Sequence, residues 1–184
     1  MQELLLELHE DATRGSLVAQ LEAAVGSDQA RRCQEAAASA GVPERHHHDL
    51  ADVLGTIEQL KVSARVKELM ARVYGVLNAA EANVHGVPQD QAHFHEVGKG
   101  MTVREILGIC TAFELLAPEH VSCSPVQVGS GTVECSHGTL DIPAPATAAI
   151  IEAYGIPVAA TRLEGELCTP TSAAILAHFV DSYS

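Results

Sequence analysis

The stretch that decides the fold is residues 64–85, ARVKELMARVYGVLNAAEANVH. Its apolar residues recur at spacings of three and four, which is the repeat of one buried stripe on an amphipathic helix. They are Val66, Leu69, Val73, Leu77, Ala80 and Val84. Gly86 and Pro88 follow and stop the pattern. We therefore predict a long amphipathic helix over about 64–85, with a shorter helix over about 49–60 packed antiparallel to it.

The segments on either side of this helix alternate between helical and strand-like patterns. Helices are predicted over about 14–25, 28–40, 146–154 and 170–181, and short strands over about 4–8, 121–129, 132–135 and 157–160. The strands ending at 129 and starting at 132 would form a hairpin. Thr102 and Glu105 have capping-box spacing, which predicts another helix from Thr102. We expect an α/β fold in which a small mixed sheet packs with several helices, in a single domain over 1–184.

The composition favours a cation as ligand over polyanions. The chain has 184 residues, is 47% hydrophobic and carries a net charge of −13 at pH 7. Phosphates and anionic lipids would be repelled, so we expect no nucleic acid and no membrane as partner. No stretch approaches the roughly 18–20 apolar residues of a membrane span. Glu3 and Glu7 stand where a signal peptide has basic residues, and we expect a cytoplasmic protein.

The cysteines are predicted to be reduced thiols. Their number, five, is odd and no C-x-x-C spacing occurs, which argues against a disulfide framework and a structural zinc site. Cys135 and Cys168 raise the question of a thiolate nucleophile. Because no partner for such a nucleophile can be assigned, inert thiols are the favoured interpretation, with Cys135 as a soft metal ligand left open.

Residues 93–98, HFHEVG, form the main candidate metal site. If residues 93–95 are extended, His93 and His95 point to one face, where both rings can reach one cation. Glu96 would either ligate the metal or accept a hydrogen bond that orients an imidazole. Imidazole suits zinc, copper, iron and nickel. The alternative is that one histidine lies in the core and the other in solvent.

A second histidine cluster, His46, His47 and His48, lies in a connection over about 41–49 that we expect to be flexible. This cluster would recruit metal, or it is a solvated loop. Further ligands for the first site are sought in this cluster, at His85 or at His137. Because ligating imidazoles must be neutral, metal binding is expected to fail at low pH.

Two other segments have features of anion sites. One is Gly129-Ser130-Gly131, whose flexible backbone can turn N–H groups toward an oxyanion. The other comprises Thr169, Thr171 and Ser172, at the predicted start of the last helix. We expect both to face an anionic ligand. The structural alternatives are glycines at a hairpin turn and a hydroxyl that caps a helix.

Short motifs between residues 46 and 178 together carry a resemblance to a known family. They are His46-His47-His48, Val84-His85-Gly86-Val87-Pro88, His93-Phe94-His95-Glu96-Val97-Gly98, Cys123-Ser124-Pro125, Val128-Gly129-Ser130-Gly131, His137-Gly138, Pro143-Ala144-Pro145-Ala146-Thr147, Glu164-Gly165-Glu166-Leu167 and Thr169-Pro170-Thr171. In this combination the chain resembles the N-terminal region of nickel insertion proteins of the LarC family. Those proteins act in the assembly of the nickel-pincer nucleotide cofactor.

The resemblance implies a function and its reactants. The metal would be nickel, and the activity that of a CTP-dependent nickel cyclometallase, a lyase, acting on a pyridinium bis-thiocarboxylate mononucleotide. We take Glu96 as the catalytic residue from its place in the motif, and the resemblance implies that the anion-prone segments face the phosphorylated precursor. CTP is expected only with a C-terminal region that this sequence does not include, and a separate C-terminal subunit and a homo-oligomer are both left open. The alternative is a diverged, non-catalytic paralogue that binds metal or a partner protein.

Overall fold

A computed structural model describes residues 3–135 and 138–184 of the chain. The chain forms two compact units. Unit 1 joins the residues up to Gln20 to Pro118–Ser184, and unit 2 is Leu21–Ala117. The single domain expected over 1–184 stays a prediction. Within the described residues, 3–135 and 138–184, no helix is both long enough and apolar enough to cross a membrane.

Unit 2 is helical, and its longest helix lies where the apolar repeat predicts it. The first helix, α1, spans Arg14–Val25 and leads from unit 1 into unit 2; it is followed by α2 (Ser27–Ser39), α3 (Leu50–Gln59), α4 (Ala64–His85) and α5 (Gly100–Leu116). Ser63 caps α4 by accepting a hydrogen bond from the Val66 amide, and Gly86 ends it in the left-handed conformation at φ 64°. The bounds predicted for the long helix are therefore confirmed. Of its predicted apolar stripe, Val84 alone is exposed, at 39%.

The start of α5 differs from the sequence-based prediction. The helix begins at Gly100, and no side chain caps it at Lys99. Thr102 is instead buried inside the first turn, so the predicted capping box is wrong. The start is set by a tertiary contact, because the Gly100 amide donates to the Arg45 carbonyl at 2.9 Å, and a Cβ at Gly100 would lie 2.4 Å from the Pro43 carbonyl oxygen.

Unit 1 is built around a small parallel sheet. Its strands are β1 (Glu3–Leu6), β2 (His120–Cys123) and β7 (Ser182–Tyr183), in the order β1-β2-β7. The unit also contains two helices, α6 (Pro145–Tyr154) and α7 (Pro170–Phe179). Leu4 and Leu6 of β1 are buried while Leu5 is exposed, which is the alternation of a strand with one face on a core.

Two short antiparallel pairs complete unit 1 and correct the predicted hairpin. They are β3 (Gly129–Ser130) with β6 (Gly165–Glu166), and β4 (Thr132–Cys135) with β5 (Gly138–Asp141). A Cβ at Gly129 would lie 1.8 Å from the Gly165 carbonyl oxygen, so glycine is needed for this close backbone approach. The strand predicted over 157–160 is reduced to one isolated bridge, Val126 with Val158. Seven α-helices and these small sheets, within the described ranges, confirm the mixed α/β class.

Candidate metal centre

The last two turns of α4 bring a carboxylate and an imidazole together in unit 2. Glu81 and His85 are four residues apart, a spacing that stacks side chains on one face of a helix. The His85 Nε2 atom lies 3.4 Å from the Glu81 Oε2 atom. Glu81 is 8% exposed, whereas the His85 side chain is 34% exposed. The pair therefore presents one buried oxygen donor and one accessible nitrogen donor.

A third donor comes from the loop before α5. The His95 ring lies against the His85 ring, with 5.4 Å between the ring centroids and 46° between the ring planes. One ligand atom from each of Glu81, His85 and His95 can be chosen such that all lie within 4.8 Å of one another. We call these three residues the Glu-His-His cluster.

The donor set of this cluster suits a divalent transition metal. Two imidazole nitrogens and a carboxylate oxygen bind such ions at about 2.0–2.2 Å, and hard ions such as magnesium and calcium prefer oxygen ligands throughout. Atoms within 4.8 Å of one another need only small side-chain movements to share one ion. Three protein ligands also leave coordination positions open for another molecule.

The loop that carries His95 is packed against α4. Phe94 is 2% exposed, and its ring lies 5.7 Å from the ring of Tyr74. The Tyr74 hydroxyl donates to the Val97 carbonyl at 3.1 Å. Residues 92–94 belong to no strand, and within this irregular stretch His93 is exposed and His95 is partly buried. The His95 ring lies beside α4, against the ring of His85.

The triple-histidine segment lies alongside the same loop. The His46 Nε2–H donates to the His95 carbonyl at 2.6 Å. The His47 side chain is fully buried, and its ring nitrogens contact the Gly98 carbonyl at 3.0 Å and the Thr56 hydroxyl at 2.9 Å. His48 is exposed, with its ring centroid 5.4 Å from that of His46. Residues 41–49, predicted to be a flexible connection, thus make specific contacts in this part of unit 2.

An ion pair attaches the triple-histidine segment to α3. The Arg45 guanidinium donates to both carboxylate oxygens of Asp52, at 2.8 and 2.5 Å. The His48 amide donates to the same carboxylate at 3.1 Å. These hydrogen bonds, that from Arg45 above all, lower the pKa of Asp52 to about 2. The carboxylate is therefore charged at neutral pH and fixes this end of the segment.

The metal ligands that were predicted from the sequence do not all lie at one site in the structure. His95 belongs to the Glu-His-His cluster, and so does His85, which the sequence left open as a further ligand. Glu96 is exposed and forms an ion pair with Lys99. His137 lies outside the described residues. His93, Glu96 and His46 to His48 stay predictions as ligands.

Glu81 is the residue that sequence reasoning missed. It follows Ala80, a member of the apolar stripe, and a lone charged residue there is easily taken for part of the solvated face. The signal that would have found it is Glu81-x-x-x-His85, an acidic residue and a histidine at helical spacing immediately before the glycine that ends α4.

The predicted anion segments have ordinary structural partners in unit 1. The Ser130 hydroxyl donates to the Leu163 carbonyl at 2.9 Å, and the Gly131 carbonyl accepts from the Ile142 amide at 3.0 Å. The Thr169 hydroxyl caps α7 by accepting from the Ser172 amide at 3.2 Å. Thr171 and Ser172 are buried. Binding of an anion by Gly129, Ser130, Gly131, Thr169, Thr171 and Ser172 stays a prediction.

Four of the five cysteine thiols are poor competitors for a metal ion. Cys33, Cys110, Cys123 and Cys168 are all buried, and burial raises their pKa above the ordinary value of 9.0. For Cys123 and Cys168 the pKa is raised to about 12. Cys135 is half-exposed on β4. Since metals bind the thiolate form, the buried thiols stay uncharged and inert at neutral pH.

Comparison with known proteins identifies the family that the chain matches. The family model described as nickel insertion protein matches residues 5–184. A curated relative named for nickel insertion, from Geotalea uraniireducens, is 45% identical over 141 residues, which are 77% of this chain and 35% of that protein. A relative from Roseiflexus castenholzii, also named for nickel insertion, is 43% identical over 136 residues, 73% of this chain and 34% of that protein.

One further relative carries a more specific name. It is the pyridinium-3,5-bisthiocarboxylic acid mononucleotide nickel insertion protein of Staphylococcus saprophyticus, 40% identical over 134 residues, 72% of this chain and 34% of that protein. The chain thus spans about a third of the length of the curated relatives it matches. No solved structure matches it. On the match over residues 5–184 and on these relatives, the chain belongs to the nickel insertion protein family.

Proposed function

We propose that this chain binds nickel through Glu81, His85 and His95 as the metal-handling part of a nickel insertion protein. The observation that carries the proposal is the Glu-His-His cluster, whose ligand atoms lie within 4.8 Å of one another. Nickel is the substrate that is passed on, and its acceptor would be a pyridinium bis-thiocarboxylate mononucleotide. The family match and the name of the Staphylococcus saprophyticus relative support this acceptor.

The chemistry of the cluster suits temporary binding better than permanent storage. Imidazole and carboxylate hold nickel with moderate strength, whereas the thiocarboxylate groups of the acceptor are softer sulfur ligands. The exposed imidazole of His85 is the ligand that an incoming sulfur atom reaches first, while Glu81 stays buried. We therefore propose that His85 is released first when nickel moves to the acceptor.

The remaining predicted residues have supporting roles in this proposal. His93 and Glu96 lie on the same loop as His95, and Glu96 would act as acid or base, or as an orienting group, near the bound ion. The segments around Gly129 and Thr169, both in unit 1, are kept as a proposed site for a phosphate group. CTP would be the nucleotide co-substrate of the insertion reaction.

Titration calorimetry of the untagged chain with nickel tests the metal site. We expect one ion per chain, and a Kd that rises at least about tenfold in each of Glu81→Gln, His85→Ala and His95→Ala. The matched controls are Glu68→Gln, an exposed carboxylate on the same helix, and His9→Ala, an exposed imidazole in unit 1. Wild-type affinity and stoichiometry in the triple variant of the cluster would overturn the assignment.

An insertion assay separates the enzyme from a non-catalytic paralogue. The chain is incubated with nickel, CTP and the thiocarboxylate mononucleotide, with and without a separately made C-terminal region of a relative. We expect nickel to appear in the nucleotide when both polypeptides are present. Nickel binding by the chain with no transfer in either mixture would favour the non-catalytic alternative.

A further inference from the structure

We propose that His46 is a positioning residue for the metal ligand His95, which it holds through a hydrogen bond to the backbone of His95. The inference rests on the proposed nickel site, because it assigns the role of His46 by reference to that site. The observation behind it is the 2.6 Å contact between His46 Nε2 and the His95 carbonyl oxygen.

The chemistry of this contact fixes what His46 does. A carbonyl oxygen accepts hydrogen bonds and cannot donate them, so the His46 Nε2 atom carries the proton. A protonated Nε2 has no lone pair with which to bind a metal ion. In this arrangement Nε2 of His46 acts on the loop, and the ion is left to Glu81, His85 and His95.

The hydrogen bond acts on the ligand residue itself. The carbonyl of His95 defines the peptide plane that follows its Cα, and the direction of the imidazole depends on that backbone geometry. Neighbouring contacts fix both sides of the same stretch: the Phe94 amide donates to the His48 carbonyl at 2.8 Å, and the His47 amide donates to the Gly98 carbonyl at 2.7 Å. His46 therefore restrains the centre of a loop whose ends are already paired.

The segment that carries His46 is itself well anchored. Arg45 forms its ion pair with Asp52 on α3, and the buried ring of His47 contacts Thr56 on the same helix. A Cβ at Gly98 would lie 2.0 Å from the His47 carbonyl oxygen, so the two segments approach as closely as glycine allows. Because the donor is held in place, its hydrogen bond restrains His95 rather than merely following it.

Substitutions at His46 separate positioning from ligation. In His46→Ala we expect the nickel Kd to rise roughly 10- to 100-fold with an unchanged stoichiometry, the usual cost of losing a partner that orients a ligand. In His46→Gln we expect the Kd to return close to the wild-type value, because glutamine Nε2 lies the same number of bonds from Cα and carries N–H groups. His46→Asn, whose amide is one bond shorter, should resemble His46→Ala. His9→Ala is the control for loss of an imidazole.

Nickel X-ray absorption spectra supply a readout that does not depend on affinity. We expect the same number of imidazole ligands in the wild type, His46→Ala and His46→Gln, each loaded at saturating nickel. One imidazole fewer in both variants would make His46 a ligand and overturn the inference. Thermal unfolding of the metal-free variants shows whether His46→Ala folds. If it does not fold, the number of imidazole ligands is compared between His46→Gln and the wild type alone.

The outcomes for the two proposals are distinguishable. If Glu81→Gln, His85→Ala and His95→Ala all bind nickel like the wild type, the proposed metal site fails, whatever His46 does. If those variants are weakened but His46→Ala binds like the wild type, the site stands and the positioning role of His46 is wrong. The same conclusion follows if His46→Gln is as weak as His46→Ala.

Discussion

The His85 Nε2 atom lies 3.4 Å from the Glu81 Oε2 atom, one turn earlier on α4. A divalent ion placed between such a pair and His95 ties the end of α4 to the loop before α5, so binding should stabilise the folded chain. At a free nickel concentration of 100 times the Kd, we expect the free energy of unfolding to rise by about 2.7 kcal/mol. Urea unfolding with and without nickel measures this. An equal rise in the triple variant of the cluster would contradict it.

The close approach of Gly98 to His47 gives a prediction on stability. A Cβ at Gly98 would lie 2.0 Å from the His47 carbonyl oxygen and 3.0 Å from the Phe94 Cβ. We expect Gly98→Ala to lower the free energy of unfolding by about 1–3 kcal/mol, the range for overpacking. The control is Gly55→Ala in the interior of α3, where nothing lies within 4 Å and alanine should stabilise by up to about 1 kcal/mol. Equal stability of the two variants would refute the steric explanation.

The ion pair between Arg45 and Asp52 predicts a specific pH dependence. The pKa of Asp52 is lowered from 3.8 to about 2 in the folded chain. Since the folded-state value is the lower one, the pair stabilises the fold above about pH 4, and that stabilisation is lost as the pH falls through about 2. Asp52→Asn should therefore be less stable than the wild type at neutral pH, and the difference should shrink in acid.

Urea unfolding at a series of pH values between about 2 and 7 measures this difference. Asp90→Asn, which removes an exposed carboxylate outside the segment, is the control. A difference between Asp52→Asn and the wild type that stays constant with pH would show that the carboxylate acts through packing and not through its charge.

The cap of α7 predicts the effect of removing a hydroxyl. The Thr169 hydroxyl accepts from the Ser172 amide at 3.2 Å, so Thr169→Ala should lower the free energy of unfolding by about 1 kcal/mol. Thr169→Ser keeps the hydroxyl and should be close to the wild type. Thermal unfolding measures both variants. If Thr169→Ala is as stable as the wild type but binds the mononucleotide more weakly, the hydroxyl serves the ligand instead of the helix.

The burial of the thiols predicts their reactivity. With an aromatic disulfide reagent at neutral pH, we expect the half-exposed Cys135 to react quickly. Cys33, Cys110, Cys123 and Cys168 should react only on unfolding, because burial both blocks access and raises their pKa. Mass spectrometry of the labelled peptides identifies the sites. Fast labelling of Cys110 in the folded chain would contradict the prediction.

Local sequence signals predicted the helices well and the strand pairs poorly. The bounds of α4 follow from an apolar repeat and a terminal glycine, both of which act over a few residues. The pairing of Gly129 with Glu166 depends on backbones that approach from distant parts of the chain, which no local pattern encodes. The start of α5 was missed for the same reason, since the contact of Gly100 with Arg45 outweighs the capping signal at Thr102.

The candidate site was predicted in part for the same physical reasons. His95 was predicted as a ligand from the motif His93-Phe94-His95, and His85 was one of several histidines left open. The carboxylate of Glu81 joins them only because the loop folds back onto α4, where the Tyr74 hydroxyl holds the Val97 carbonyl. The contact between His46 and the His95 backbone likewise joins segments far apart in sequence.

The burial of Cys33, Cys110, Cys123 and Cys168 bears on which ligands a nickel ion would meet in the proposed function. A thiolate is a softer ligand than imidazole or carboxylate, and thiolates beside the histidines would compete with an acceptor for the ion. Here Cys110 and Cys168 are buried, and because burial raises their pKa they are protonated at neutral pH. Under the proposed function, nickel would therefore be held by nitrogen and oxygen donors, and these buried thiols would not compete with the sulfur atoms of the thiocarboxylate acceptor.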